Sequence, residues 1–456
     1  MASPDAAAVL SRKGAPRWPW LFVLAAVLTM GIGAGLDHWP THNYSHTLDP
    51  NTIRPGYGPE NFEAAQARAE LAVIGARQSL ATAPGEWLRG EVLARALITR
   101  WRLTGDFADL AEADRELDRG IAEAPFPAGP VLTRALLSGL VHRLGQEEHA
   151  LARFEHFALP DAAEAADAAA LTGDMALQRG NLALAAIKFA EAERIAKNVG
   201  SGLRSAVLLA QRGERGRSAV ALESLIGRPR QQPSVLAELM LQRANVAYMT
   251  GEWDVAGRWI GAAQRVFPGY WLADAYAAQQ YAIAGRTEEA IRVYGIVARR
   301  TDRPEVQDAL AHLLRLQGRG EASRAWAAKA AVGWEARARL FPEAVIHHQA
   351  EHELVVGSAS RALSYARADA ALRPQAPNLV LLARALLSAG KAREALNVLD
   401  RAAAQGWVSA GQQMARAETL AALSDTKSSD AARASAEAIN PRAADPRTRL
   451  IWFGHD

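Results

Sequence analysis

A glycine followed five residues later by a small residue recurs along this chain at nearly constant spacing. The pairs are Gly145 with Ala150, Gly180 with Ala185, Gly251 with Ala256, Gly285 with Ala290, Gly357 with Ala362 and Gly390 with Ala395. Successive glycines lie 35, 71, 34, 72 and 33 residues apart, so each long interval is about twice the basic one. Each long interval holds a weaker copy, one near Gly213–Gly216 and one near Gly318–Gly320. An earlier copy sits at Gly105, and a later one ends at Pro441 with Ser424 in the glycine position. A fixed period of roughly 20–50 residues marks a chain built from stacked supersecondary units, none of which can bury its apolar face alone.

The unit is read most clearly in Leu239–Pro268, LMLQRANVAYMTGEWDVAGRWIGAAQRVFP. Two helical patterns flank Thr250-Gly251. Small residues at Ala244, Ala256 and Ala263 let two helices approach closely, and Pro268 closes the unit. Half of the chain is apolar, alanine is abundant and β-branched residues are sparse, which favours helix. No stretch alternates with a period of two, so the chain is expected to be all-α.

This periodicity resembles the tetratricopeptide repeat, a 34-residue pair of antiparallel helices. The small residue that family places in its first helix matches Gly173, Ala244, Ala278 and Ala383. The one early in its second helix matches Ala185, Ala256, Ala290 and Ala395. The bulky position four residues later matches Phe154, Phe189, Ile260, Tyr294 and Leu399, and the closing proline matches Pro268, Pro374 and Pro441. The first-helix tryptophan is absent, and Arg243 stands where a leucine is usual. The resemblance implies a helical-hairpin solenoid, a right-handed superhelix whose first helices line a concave groove. About nine to ten helix pairs are expected over residues 61–441, with a tail at 442–456.

Ahead of the repeats, Trp18 to Leu36 carries no charge, and its 19 residues suffice for about one bilayer core. Arg12, Lys13 and Arg17 precede it and Asp37 follows. By the positive-inside rule the tail 1–17 is cytoplasmic, 18–36 is a transmembrane anchor, and everything beyond is translocated. The expected location is therefore a bacterial inner membrane, single-pass, with a periplasmic solenoid. The competing reading is a cleaved signal peptide, with Gly33 and Gly35 near the cut, leaving a soluble periplasmic module. Residues 37–60 form a proline-rich linker. Its His38, His42 and His46 are candidate ligands for a divalent metal.

Chemistry is sparse. There is no cysteine, so disulfides, iron–sulfur clusters and thiolate zinc sites are excluded. Fifty-two basic residues against 49 acidic ones leave a net charge of +3, too dilute for a nucleic-acid-binding field. No GxxxxGK[ST] loop or strand-linked GxGxxG is present, so no nucleotide and no cofactor is expected. The one catalytic pattern is H-x-x-E-H at His348, Glu351 and His352, the order of inverted zinc peptidases. It falls within a repeat, without a third ligand or a catalytic domain around it. A zinc-dependent hydrolase is thus the alternative reading, and a protein without catalysis the leading one.

By repeat register, Asn245, Tyr248, Gln279, His347, Glu351, Arg384 and His142 line the inner face of the first helices. They are the candidate partner-binding residues. Several aromatics of the middle repeats, among them Tyr281 and Tyr294, fall on core positions instead. The expected function is a membrane-anchored interaction scaffold or assembly factor of the bacterial envelope, holding a peptide or partner protein in the groove.

Overall fold

The computed structural model describes residues 48–157 and 160–454. Within them lie 21 α-helices, one short 3-10 helix and no strand. The first helix, α1 (Phe62–Thr82), packs on α2 (Trp87–Thr104). From there the helices pair antiparallel: α2 with α3 (Phe107–Glu123), α4 (Val131–Leu140) with α5 (Leu144–Phe154), and α6 (Ala162–Gln178) with α7 (Leu182–Ile195). Next come α8 (Val199–Gln211) with α9 (Arg215–Ile226), α10 (Pro233–Met249) with α11 (Trp253–Val266), and α12 (Trp271–Ile283) with α13 (Thr287–Thr301). Then follow α14 (Pro304–Leu316) with α15 (Gly320–Ala338), α16 (Pro342–Val356) with α17 (Ala359–Leu372), α18 (Ala376–Ser388) with α19 (Ala392–Ala404), and α20 (Ala410–Ala422) with α21 (Thr426–Ile439). The 3-10 helix η1 spans Pro446–Leu450.

Local chemistry sets the ends. Asp161 and Glu164 form a reciprocal capping box at the start of α6, and Asn181, Ser409 and Asp425 cap α7, α20 and α21 through their side chains. Pro233, Pro304 and Pro342 open α10, α14 and α16, where a missing N–H costs nothing. The turn inside most pairs is made by one left-handed residue. Gly105, Gly180, Gly213, Gly251, Gly285, Gly318 and Gly390 all have φ between 72° and 81° there.

The packing register matches the small-residue pattern. Ala185, Ala244, Ala256, Ala278, Ala290 and Ala395 are fully buried, and a Cβ at Gly173 would overlap the ring of Phe189. The weak copies near Gly213 and Gly318 carry serine five residues on, Ser218 and Ser323, and both are buried. Ser323 and its counterpart Ser429 use their hydroxyls to donate to the carbonyls of Ala311 and Ala417, each at 2.8 Å. Serine satisfies the same close approach as alanine, which is why those copies are faint in sequence yet regular in space.

Two markers are corrected. Gly145 is not a turn residue; it lies inside α5, and the left-handed position belongs to His142, at φ 61°. The repeat is therefore three residues out of phase with the Gly145–Ala150 pair, and the small-residue position falls on Glu147. Gly357 has φ −117° and closes α16 without a left-handed turn. Ser424 does replace the glycine of its turn, at φ 64°.

The coil closes on itself. Arg303, before α14, donates to the carbonyl of Leu103 at 3.0 Å, next to the turn of the first pair. Arg373, after α17, meets His142 at 2.9 Å in the second turn. Gln405 covers the third turn at Gly180, and the backbone N–H of Val408 donates to Gln211 at 3.2 Å beside the fourth. Asn440 and Arg442 donate to Tyr248 and Gly251 in the fifth, at 3.2 and 2.9 Å. The turns of the early pairs thus dock on the inter-pair loops of the late ones. The same core cluster joins Leu177, Phe189 and Leu208 to Leu379, Leu399 and Trp407.

The expected location is corrected too. Among the described residues no helix is long and apolar enough to cross a membrane, so the single-pass inner-membrane reading has no spanning helix to rest on. The tail 1–17, the segment 18–36 and the linker histidines His38, His42 and His46 lie outside the described residues.

Candidate functional site: the inner face of α10, α12 and α14

Polar side chains bridge several neighbouring first helices, among them α2 and α4, α6 and α8, α10 and α12, and α14 and α16. Arg204 on α8 grips Asp174 on α6 at 2.7–2.9 Å. Tyr270, just before α12, donates its hydroxyl to Glu238 on α10 at 3.2 Å. Burial pushes the Glu238 carboxyl up and lowers Arg102 of α2 to about 10, each partly countering the other.

At α10–α14 this face is occupied by the chain itself. After α21 the backbone turns back and runs through η1, which packs on α12. Gln279 then receives it. Its Oε1 accepts from the backbone N–H groups of Trp452 and Phe453, both at 2.7 Å, and its Nε2 donates to the Phe453 carbonyl at 2.9 Å. The Phe453 ring lies 5.7 Å from Tyr276 and 6.4 Å from Tyr294, centroid to centroid. His312 of α14 is hydrogen-bonded to the Arg449 carbonyl at 2.6 Å, and its ring sits 5.5 Å from that of Trp452. Arg442 and Arg447 lie over Trp253, 4.5 and 4.8 Å from the ring centroid. The segment leaves η1, bends at Phe453–Gly454 and touches the three successive first helices α10, α12 and α14, as a bound peptide would.

Three expected groove residues meet here. Gln279 is fully buried beneath the segment and makes the contacts just described. Asn245 accepts from the Tyr276 hydroxyl at 2.7 Å and stands against Gly454, where a Cβ would overlap its Oδ1. Tyr248 is buried, its hydroxyl donating to Gln280 at 3.0 Å, so it supports the site from below. The rest lie elsewhere. His142 is in the seam between early and late pairs, bonded to Gln178 at 2.7 Å as well as to Arg373. His347 reaches Asp369 of α17 at 2.8 Å, and Glu351 lies 3.7 Å from it. Arg384, exposed on α18, points along the row of first helices to the Gly411 carbonyl at 3.5 Å.

Sequence reasoning missed His312, Trp452, Phe453 and Gly454, and placed Tyr294 only in the core. The available signal was an aromatic pair followed by glycine in a stretch read as a tail.

The H-x-x-E-H residues are not gathered for a metal. His348 pairs with Glu351 at 3.0 Å and stacks on Trp334 at 5.0 Å. His352 pairs with Asp308 at 2.6 Å, whose second oxygen accepts from Trp334 at 2.7 Å. Each imidazole is committed to a different carboxylate. Among the described residues no group of three or more His, Cys, Asp or Glu is placed to hold a metal ion.

No family model and no curated protein matches the chain. Solved structures similar to it include the Cut9–Hcn1 heterotetramer of the APC/C, with 15% identity over 81% of this chain and 74% of that one at a TM-score of 0.40. Yeast Tom70 shares 13% identity over 81% of this chain and 87% of its own, at a TM-score of 0.36. A tetratricopeptide repeat protein from Parabacteroides merdae ATCC 43184 shares 13% identity over 56% of this chain and 99% of its own, at 0.34. The chain's structural neighbours are tetratricopeptide-repeat proteins. Its own helix pairs, left-handed turns and small-residue contacts form a solenoid of helical hairpins.

Proposed function

We propose that this protein is an interaction scaffold or assembly factor that holds a short segment of a partner polypeptide on the inner face of its coil. The observation that carries this reading is Gln279. A buried carboxamide that accepts from two consecutive backbone N–H groups and donates to a carbonyl recognises polypeptide backbone as such. The role read here is binding rather than catalysis, because Gln279 and His312 on this face engage backbone groups.

A photo-crosslinking amino acid placed at inner and outer positions in cells of the source organism tests the reading. Arg384, exposed on the first helix α18, serves as the inner position by repeat register, and exposed Ile187, on the second helix α7, as the outer one. Adducts with a partner protein are expected from Arg384 and not from Ile187. Adducts from Ile187 alone, or from neither, would overturn it.

A further inference from the structure

The segment Arg449–Gly454 packs on the core of the middle repeats, with Phe453 inside it and Leu450, Ile451 and Trp452 at its edge. Of these residues only Phe453 is buried, at 9% exposure, while Leu450, Ile451 and Trp452 remain partly exposed. It is held by the Phe453 ring between Tyr276 and Tyr294, the Trp452 ring beside His312, apolar packing of Leu450 and Ile451, three hydrogen bonds to the Gln279 amide and one between His312 and the Arg449 carbonyl. Every one of those hydrogen bonds engages the segment's backbone. A residue without a Cβ is then required at Gly454, which adopts φ 73° against Asn245 and the Tyr276 hydroxyl. These are the interactions of a modest peptide ligand, with backbone capture for affinity and one aromatic pocket and one glycine for selection.

We propose that Arg449–Gly454 is a built-in occupant of the groove, and that the site takes in its place a partner segment of the same chemistry: a short bent segment with two adjacent aromatic residues followed by a left-handed glycine. The proposal rests on the peptide-holding reading above and adds to it the identity of the ligand class and a competitor. Because the competitor is covalently attached, its effective concentration is high, on the order of millimolar for a short tether. A free peptide therefore binds the intact chain poorly, and a partner must either outcompete the segment by contacts elsewhere or meet a chain whose segment is displaced.

The probe is a fluorescent peptide of the sequence Thr448–Gly454, TRLIWFG, titrated by anisotropy into the full chain and into the full chain carrying Trp452→Ala and Phe453→Ala. The double variant is expected to bind at least 10-fold more tightly than the unmodified chain. Changing phenylalanine to alanine or glycine to valine in the peptide should each weaken that binding at least 10-fold, with the protein untouched. Equal affinity of both chains, or indifference to the peptide changes, overturns the proposal. Should the double variant lose helical signal by circular dichroism, hydrogen exchange in the unmodified chain replaces it. Excess peptide must accelerate exchange at the Trp452 and Phe453 amides, and unchanged exchange overturns the proposal. Failure here together with inner-face adducts at Arg384 would leave the scaffold reading standing and remove only the ligand assignment.

Discussion

Glu147 stands opposite Gly139 with neither carboxylate oxygen hydrogen-bonded, at a position where other repeats carry alanine or serine. A Cβ at Gly139 would lie 2.8–3.1 Å from that carboxyl group, so the glycine makes room for it. Burial raises the carboxyl well above its ordinary 4.5, and Asp174 adds to the effect. A raised acid binds its proton in the folded state after the unfolded chain has lost it. Folding is therefore penalised increasingly as pH climbs above the unfolded value. Glu147→Gln removes the proton cost at nearly constant shape. The variant should be more stable than the parent at pH 8 by more than about 1.4 kcal/mol, the worth of one pKa unit. The gain should shrink toward zero at pH 4. Urea unfolding at both pH values checks this, and a gain independent of pH would refute it.

Arg373 and Asp369 give the opposite sign. Both are buried, and the guanidinium bonds the carboxylate at 2.5 and 3.0 Å while also meeting His142 of the early pairs. Against the burial that would raise it, Arg373 and His347 hold Asp369 down to about 2, below its ordinary 3.8. A depressed acid contributes stability above its unfolded value, and that contribution is lost as pH falls through 3.8 toward 2. Arg373→Met leaves a buried carboxylate without its cation and should cost about 3–5 kcal/mol at pH 7. The cost should narrow as pH is lowered toward 3. Parallel thermal melts at the two pH values decide, and a deficit that stays constant would show that the pair is not the cause.

The repeat was legible where small residues carry the packing. Ala244, Ala256, Ala278 and Ala290 announce their helix contacts because close approach admits few residue types. The second pair was misphased because a histidine adopts the left-handed turn and a glutamate takes the small position, so both markers vanish while Gly145 supplies a false one. His142 was placed in a groove and lies in a seam, since the pitch that brings residue 142 to residue 373 is a property of the whole coil. The partner of Gln279 lies more than 170 residues away and makes its contacts through backbone, which leaves no pattern in sequence.

Gly173 and Gly145 look alike in sequence and should respond oppositely. A side chain at Gly173 meets the buried ring of Phe189, so Gly173→Val should cost about 1–3 kcal/mol by overpacking. Gly145 lies in α5 with nothing within 4 Å of an added Cβ. Gly145→Ala should stabilise by up to about 1 kcal/mol through helix propensity. Circular dichroism melts of the two variants test the register, and a destabilised Gly145→Ala would contradict it.

A simple solenoid touches only its neighbours, so its stability sums over adjacent repeats and unfolding can spread from an end. Here α6–α8 share a core cluster with α16–α20, and five early turns rest on late loops. Those contacts couple distant repeats and should make unfolding a single transition. Gly180→Leu attacks the coupling, because its added Cβ would lie 2.7 Å from the Gln405 amide. It also strains a left-handed backbone at φ 73°. Gly285→Leu carries the same strain, at φ 79°, with open space around the Cβ, and so isolates the backbone cost. Gly180→Leu alone should raise the radius of gyration in small-angle scattering and broaden or split the urea transition. If both variants only lower the midpoint, and by equal amounts, the contacts between early and late pairs add nothing to the backbone effect. In that case the coil would behave as independent neighbours despite its closed shape.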